Sequence, residues 1–594
     1  MDEQRNIMEE NMIFGTEQIA GRKVLYAIKE GKQYQLDSLY DSDYMVENWF
    51  SYVEAHGLRY RSKVFLFGIG NGMYLSKLLS ATEADVQIFL YEPSEELYEY
   101  VIEQFSLDAL LENERVKIVV GQNECLSEKI DKYLAYEDIK GLIFSKYPNY
   151  SRIYPKELKK YAEEIQLTIN RREAEGRLLE RHGKAYYNNT FSNLKYLYQG
   201  KSMRDLWNHM PKKIPAFIVS SGPSLDKNVE ELKKIQGRGL IIAADSAVRA
   251  LLAHNIIPDL FVSVDGMKSL KHFEDDRIQQ IPLLCDLQSN AAMMQRHEGL
   301  KFFVKSLDFH IQNKVEALGA EIPNLSTGGS VAHECFELAR ILECNPIILV
   351  GQDLAYTGNH THSTDTIRGA RNIDASTLDT VVMEGIDGQP ILSSYEFQLY
   401  LQWFEQQIQK HPETKVIDAT EGGAKIHGCE IRTLSDAIKE IENPAYDFHS
   451  IIENAGNMMD EEQRVGLEKF IVEIPAELKT ALQLARQINR DYEKMISLIY
   501  QSKYHNNEFQ KLYRKVSENT LKLDAMGVME YVQNHIQKET SNMLEKVYDV
   551  QKDEKAELIS ACSLGRDYIT IVIGAIEKVL PDITQRIGLE SSSQ

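Results

Sequence analysis

The six cysteines of this 594-residue chain are scattered and nowhere form a CxxC pair, which leaves neither a disulfide framework nor a zinc knuckle to build on. A basic, apolar leader is also missing. The opening stretch, MDEQRNIMEENMIF, is acidic, and no uninterrupted apolar run approaches the ~18 residues of a membrane helix. A soluble, cytoplasmic protein with no membrane insertion is expected. Positive charge is in deficit, 67 Lys and Arg against 89 Asp and Glu for a net charge of −22, and this disfavours a nucleic-acid binder, which needs a cationic face to displace counterions. Low-complexity tracts and solenoid repeats are absent too.

What remains is a soluble globular composition, 43% apolar and 26% charged, in a chain too long for one core. From Val64, short apolar runs (VFLFGIGNG, VQIFLYEP, VKIVVG, GLIFSKYP) alternate with helical segments, the pattern of a parallel α/β unit. A charged helical stretch follows. The same rhythm restarts at PAFIVSSGPSL and continues through GLIIAADSAVRALL, DLFVSVDG, IPLLCD, KFFVKS, PIILVGQDLAY and TKVIDATEGG. Thereafter the strands stop, and Glu/Lys/Leu-rich periodic segments run on, with a break expected near Pro475. The expectation is an α/β chain of three domains. Residues 1–185 form a Rossmann-like domain with a helical connector, 186–440 a second doubly wound domain, and 441–594 an all-α domain.

Two places invite a ligand. In the first unit Gly68, Gly70 and Gly72 follow a strand, and Glu92 ends the next strand, 22 positions beyond Gly70. Glycines allow close backbone approach and a carboxylate at that spacing suits a ribose, so this is a candidate second nucleotide site. A merely structural turn reads the same way. In the second unit every strand ends in polar residues that a parallel sheet would gather along one carboxyl edge. These are Ser221, Gly222, Pro223 and Ser224; Asp245 and Ser246; Asp265 and Gly266; Ser326, Thr327, Gly328, Gly329 and Ser330 before an amphipathic helix; and Asp353 with Tyr356. Helix caps and turns account for any one of these residues. The set of five endings together points to a site.

Histidines 360 and 362 lie in AYTGNHTHSTDT, a polar stretch expected to be a mobile loop. Either suits a general base near neutral pH, although a solvated pair or an HxH metal ligand would look alike. His333, beside Cys335 and Phe336, reads as packed. Glu384 and Asp387, with Gly385 and Gly388, stand between an apolar run and a helix, and fit either an acceptor-side element or an Asp-Gly hairpin turn.

The segments SSGPSLDKN, AADSAVRAL, PDLFVSVDG, STGGSVAHECFELARILECNPIILVGQDLAYTGNHTHS and DATEGGAKIHG resemble the central domain of the motility-associated factor (Maf) family of flagellin glycosyltransferases. They cover about half the chain as motifs, and the domain order extends the resemblance to nearly all of it. The central domain is also similar, more distantly, to bacterial sialyltransferases. The resemblance implies transfer of a nonulosonic acid, pseudaminic or legionaminic, from its CMP ester to Ser/Thr hydroxyls of flagellin. It further implies that the Gly222–Ser224 loop and Ser326–Ser330 hold the donor's phosphate and carboxylate, and that Asp245, Ser246, Asp265 and Gly266 lie near the cytidine. His362 or His360 would then be the base and Tyr356 would assist the leaving phosphate. Sialyltransferases often place asparagines where Asp245 and Asp265 stand here. No DxD pair of strand-end aspartates is present, so no metal and no cofactor beyond the donor is expected. Three alternatives stand beside this reading: an S-adenosylmethionine-dependent methyltransferase using the glycine loop and Glu92, a pterin pyrophosphokinase sharing the GPSL-type domain, and a non-enzymatic flagellin-binding factor working through the C-terminal helices.

Overall fold

The structure, a computed structural model, describes residues 12–58, 62–82, 86–121, 126–306, 309–367, 369, 380–442, 444–546 and 553–591. Its strands, in chain order, are β1 (Ile13–Ile19), β2 (Arg22–Lys29), β3 (Lys32–Gln35), β4 (Lys63–Phe67), β5 (Gln87–Glu92), β6 (Val116–Val120), β7 (Leu142–Lys146), β8 (Ala216–Val219), β9 (Leu240–Ala244), β10 (Leu260–Val262), β11 (Leu283–Cys285), β12 (Lys301–Phe303), β13 (Ile347–Val350), β14 (Thr380–Glu384), β15 (Pro390–Ser394), β16 (Val416–Asp418) and β17 (Glu430–Ile431).

One compact unit comprises residues 1–181, 488–516 and 536–571. It holds an antiparallel meander, β1-β2-β3, which the sequence reading missed because its strands carry polar residues on both faces. Beside the meander in sequence lies a four-stranded parallel sheet in the order β6-β5-β4-β7. Its central strand is a run of Val64, Phe65, Leu66 and Phe67, all fully buried, as expected of a parallel strand covered on both faces.

The second unit comprises residues 182–487, 517–535 and 572–594. Its eight-stranded parallel sheet runs β12-β11-β10-β9-β8-β13-β16-β17, with β14 and β15 as a separate hairpin. From β8 the chain steps outward through β9 to β12, then returns to build β13, β16 and β17 on the other side. The strand order therefore reverses between β8 and β13, where open α/β sheets leave a crevice beyond their strand ends. Helix Val331–Ile341 packs over β8, β9 and β10.

The C-terminal segment is helical: Glu461–Tyr500, Asn507–Asp524, Met529–Lys546 and Glu554–Ser591. One expectation, a break near Pro475, fails here. The helix runs through Pro475 without a break, because Ile471, Ile474 and Leu478 are buried around it and outweigh the lost hydrogen bond. The helices of this segment are divided between the two units. Helix Glu554–Ser591 is long and apolar enough to cross a membrane by composition. Its buried residues Ile569, Val572, Ile576, Val579 and Ile583 recur every three or four positions, the stripe of a helix packed along one side.

Candidate functional site

At the reversal point of the large sheet, the chain leaves β8 through Ser220–Ser224. Ser224 is fully buried; its hydroxyl donates to Asp353 Oδ2 at 2.6 Å and its amide to the same oxygen at 3.2 Å. Gly222 N donates to Gly351 O at 2.9 Å, and a Cβ on Gly222 would fall 2.0 Å from Asp353 Oδ2. The glycine is thus needed for close approach, but the approach is to Asp353. The donors expected to hold a phosphate are spent within the protein here, those of Ser224 on the Asp353 carboxylate and the Gly222 amide on the Gly351 carbonyl. Asp353, 3% exposed, is raised above the ordinary carboxylate range by burial, with the Ser224 hydrogen bonds opposing. At the end of the neighbouring strand β16, fully buried Asp418 is pushed up to about 6 by burial and by the charge of Asp353, against the opposing hydrogen bonds of Thr420. Its Oδ2 has no hydrogen-bond partner.

The part of the loop after β13 that the structure describes is tied to the sheet edge by hydrogen bonds. Ser363 N donates to Ser221 O at 2.9 Å, and Asp226 accepts from the Ser363 hydroxyl and from Thr364 N and Oγ1, the last at 2.6 Å. Asp365 pairs with His254 Nε2 at 3.2 Å. These anchors bring the His360–His362 segment beside the Ser221 turn. Both histidines are half-buried, and among the described residues His360 Nδ1 has no hydrogen-bond partner. Tyr356 N donates to Leu392 O on β15 at 2.9 Å, and its ring meets Phe397 edge-on. Among the described residues no group of three or more His, Cys, Asp or Glu side chains is arranged to hold a metal.

Across the crevice, the ends of β9 to β11 carry a second polar cluster. Asp245 is buried and accepts from Lys268 Nζ at 2.6 Å and Ser263 Oγ at 2.9 Å, while Ser246 and Ser221 share a hydrogen bond of 2.9 Å. Asp286 accepts from Ser289 Oγ at 2.8 Å. Asp265 turns back to accept from Met267 N at 2.8 Å, and Gly266 lies so close to Gln288 O that a Cβ would sit 2.5 Å away. The Ser326–Ser330 segment leads into helix Val331–Ile341 with Ser326, Thr327 and Gly329 exposed, whereas the helix start itself is covered: Ala332 and His333 are buried, His333 N donates to Ser330 O at 2.8 Å, and Ser330 N donates to His333 Nδ1 at 3.4 Å. Inside that helix start, His333 is buried, stacks on Trp403 at 4.1 Å, and is lowered to about 3 by burial, so it stays neutral. Glu334, Asp286, Lys268 and Asp418 escaped the sequence reading. In ECFELA the sequence offers two carboxylates, Glu334 and Glu337, with nothing to single out the first.

Two candidate groups serve local structure. Glu384 is bound by Lys425 at 2.7 Å and by His427 at 3.4 Å, and the Lys425 hydrogen bond holds it below the ordinary range; Asp387 accepts from Gln389 N at 2.9 Å in the β14–β15 turn. In the first unit the glycine loop is already occupied. A Cβ on Gly68 would lie 2.3 Å from the Tyr150 ring, on Gly70 2.1 Å from the Tyr147 ring, and on Gly72 2.5 Å from Leu107. Glu92, fully buried, accepts from Ile69 N at 2.9 Å, Tyr150 Oη at 2.7 Å and Ser94 N at 3.1 Å. Of the two readings of this loop, the geometry fits the structural turn: the Tyr147 and Tyr150 rings fill the space, and the carboxylate closes its own loop.

Over 98% of its length this chain superposes on 95% of a MAf glycosyltransferase from Magnetospirillum magneticum AMB-1, with a TM-score of 0.55 and 14% identity. The chain has the fold of that glycosyltransferase. A family model described as 6-hydroxymethylpterin diphosphokinase MptE-like matches residues 188–359, the part that carries β8 to β13. A 54-residue stretch is 46% identical to 6-hydroxymethyl-7,8-dihydropterin pyrophosphokinase of Methanocaldococcus jannaschii; it spans 8% of this chain and 22% of that enzyme.

Proposed function

We propose that this protein is a glycosyltransferase of the Maf kind that moves a nonulosonic acid from its CMP ester onto Ser/Thr hydroxyls of flagellin in the cytoplasm. The observation carrying this reading is the shared fold over 98% of the chain, which takes in the helical C-terminal segment as well as the sheet. The exposed Ser326–Ser330 segment takes the donor's phosphate and carboxylate through neutral N–H and O–H donors. The acceptor oxygen attacks the anomeric carbon, the bond from that carbon to the phosphate oxygen breaks, and CMP leaves. His362 or His360 takes the hydroxyl proton, and the Tyr356 phenol donates to the departing phosphate. Pinning of the loop by Asp226 holds these groups at the strand ends.

The match of residues 188–359 to the pterin diphosphokinase model favours one second reading, diphosphate transfer from ATP to a hydroxymethylpterin. Intact-mass analysis decides between them. The glycosyltransferase adds one nonulosonate per modified hydroxyl when given flagellin and CMP-pseudaminic or CMP-legionaminic acid, and the gain survives a chelator. Absence of any gain, together with AMP release from ATP, magnesium and the pterin, overturns it.

A further inference from the structure

Glu334 stands in the first turn of helix Val331–Ile341, 6% exposed, and among the described residues its Oε2 has no hydrogen-bond partner. An orphaned buried carboxyl oxygen costs on the order of 1–3 kcal/mol and calls for an explanation. It lies close enough to Asp245 and Asp286, at the ends of β9 and β11, for their charges to act on it. We propose that Glu334 reads the amidine edge of the donor's nucleobase, its carbonyl oxygen accepting from the exocyclic amine and its O–H donating to the ring nitrogen. This inference rests on the CMP-donor reading and adds the residue that selects the base.

Burial first, and the two aspartates next, raise Glu334 to about 8 against an opposing backbone hydrogen bond, so it is a neutral acid at pH 7. The groups facing it are Asp245, paired with Lys268, and Asp286; Tyr400 on helix Tyr395–Lys410; and Cys335 on its own helix. Lys268 neutralises only Asp245, which leaves Glu334 to shed its charge. A neutral carboxylic acid offers one donor beside one acceptor. Cytosine presents the complementary pair, N4–H and N3, whereas uracil presents a carbonyl and an N–H in the same places, and a pterin or guanine presents two donors that suit an ionised carboxylate.

Calorimetry on the full chain with CMP, UMP and 6-hydroxymethylpterin tests this. Wild type should prefer CMP over UMP by about tenfold or more at pH 7, the value of one bidentate pair, and the preference should fade as pH rises through about 8. Glu334→Gln, which mimics the neutral acid, should keep the preference and lose the pH dependence. Glu334→Leu, if it melts as wild type does, should bind the two pyrimidines alike. A wild type that binds CMP and UMP equally, or a Gln variant that retains the pH dependence, overturns the role of Glu334 while leaving the CMP donor standing. A wild type that binds the pterin and neither pyrimidine overturns both.

Discussion

Replacing Ser224 by Ala removes one hydroxyl from a fully buried loop and leaves Asp353 Oδ2 without its 2.6 Å partner. A hydrogen bond to a charged, buried acceptor is worth about 1.5–3 kcal/mol. In a unit of this size that should lower Tm by roughly 2 °C per kcal/mol. The sign of the pH effect follows from the shift. Burial raises Asp353 above its ordinary 3.8, so the stability this group contributes is full below that value and is lost as pH rises through its folded pKa. Removing the hydroxyl that opposes the shift raises it further, so the deficit of Ser224→Ala should be smallest in acid and grow toward neutrality. Thermal melts across pH, with hydrogen exchange over residues 217–228, measure both, because the amides of Leu225 and Lys227 bond back to Gly222 and Ser224 within the same turn. A double-mutant cycle with Asp353→Asn should give a coupling of about 0.5–3 kcal/mol. The reasoning is refuted if Ser224→Ala melts and exchanges as wild type does while CMP affinity collapses. The hydroxyl would then be reserved for a ligand.

In the first unit, Gly70→Ala should destabilise by about 1–3 kcal/mol, since the new methyl falls 2.1 Å from the Tyr147 ring at φ +52, and calorimetry with S-adenosylmethionine should show no heat; an unchanged Tm sinks the plugged-loop account. Burial raises Glu92 from 4.5 to about 7, so its contribution is present below the lower value and lost as pH rises through the upper, on the order of 3 kcal/mol in all. Glu92→Gln should flatten the stability profile across that window, and an unaltered slope in chemical denaturation would count against it. Asn at His360 or His362 should cut transfer by ~10²–10⁴, with CMP affinity held within a few-fold. Near-normal transfer by both single variants and the double assigns the proton to another group.

The alternating apolar runs were enough to read two parallel α/β sheets and a helical C-terminal segment, because strand and helix periodicity are properties of a dozen consecutive residues. The ends of the strands were equally legible: a parallel sheet collects them along one edge, and Ser221, Asp245, Asp265 and Asp353 stand there. What each of these groups touches was not legible. Whether Ser224 faces a phosphate or Asp353 depends on a residue 129 positions away on the neighbouring strand end. Whether Gly70 faces a nucleotide or Tyr147 depends on the strand that joins the first sheet last. Glu334 looked like an ordinary helix charge until the sheet brought Asp245 and Asp286 beside it. Local sequence sets which backbone conformations are favourable, whereas the partners of a buried polar group are chosen by packing between distant segments, and only the tertiary structure decides those.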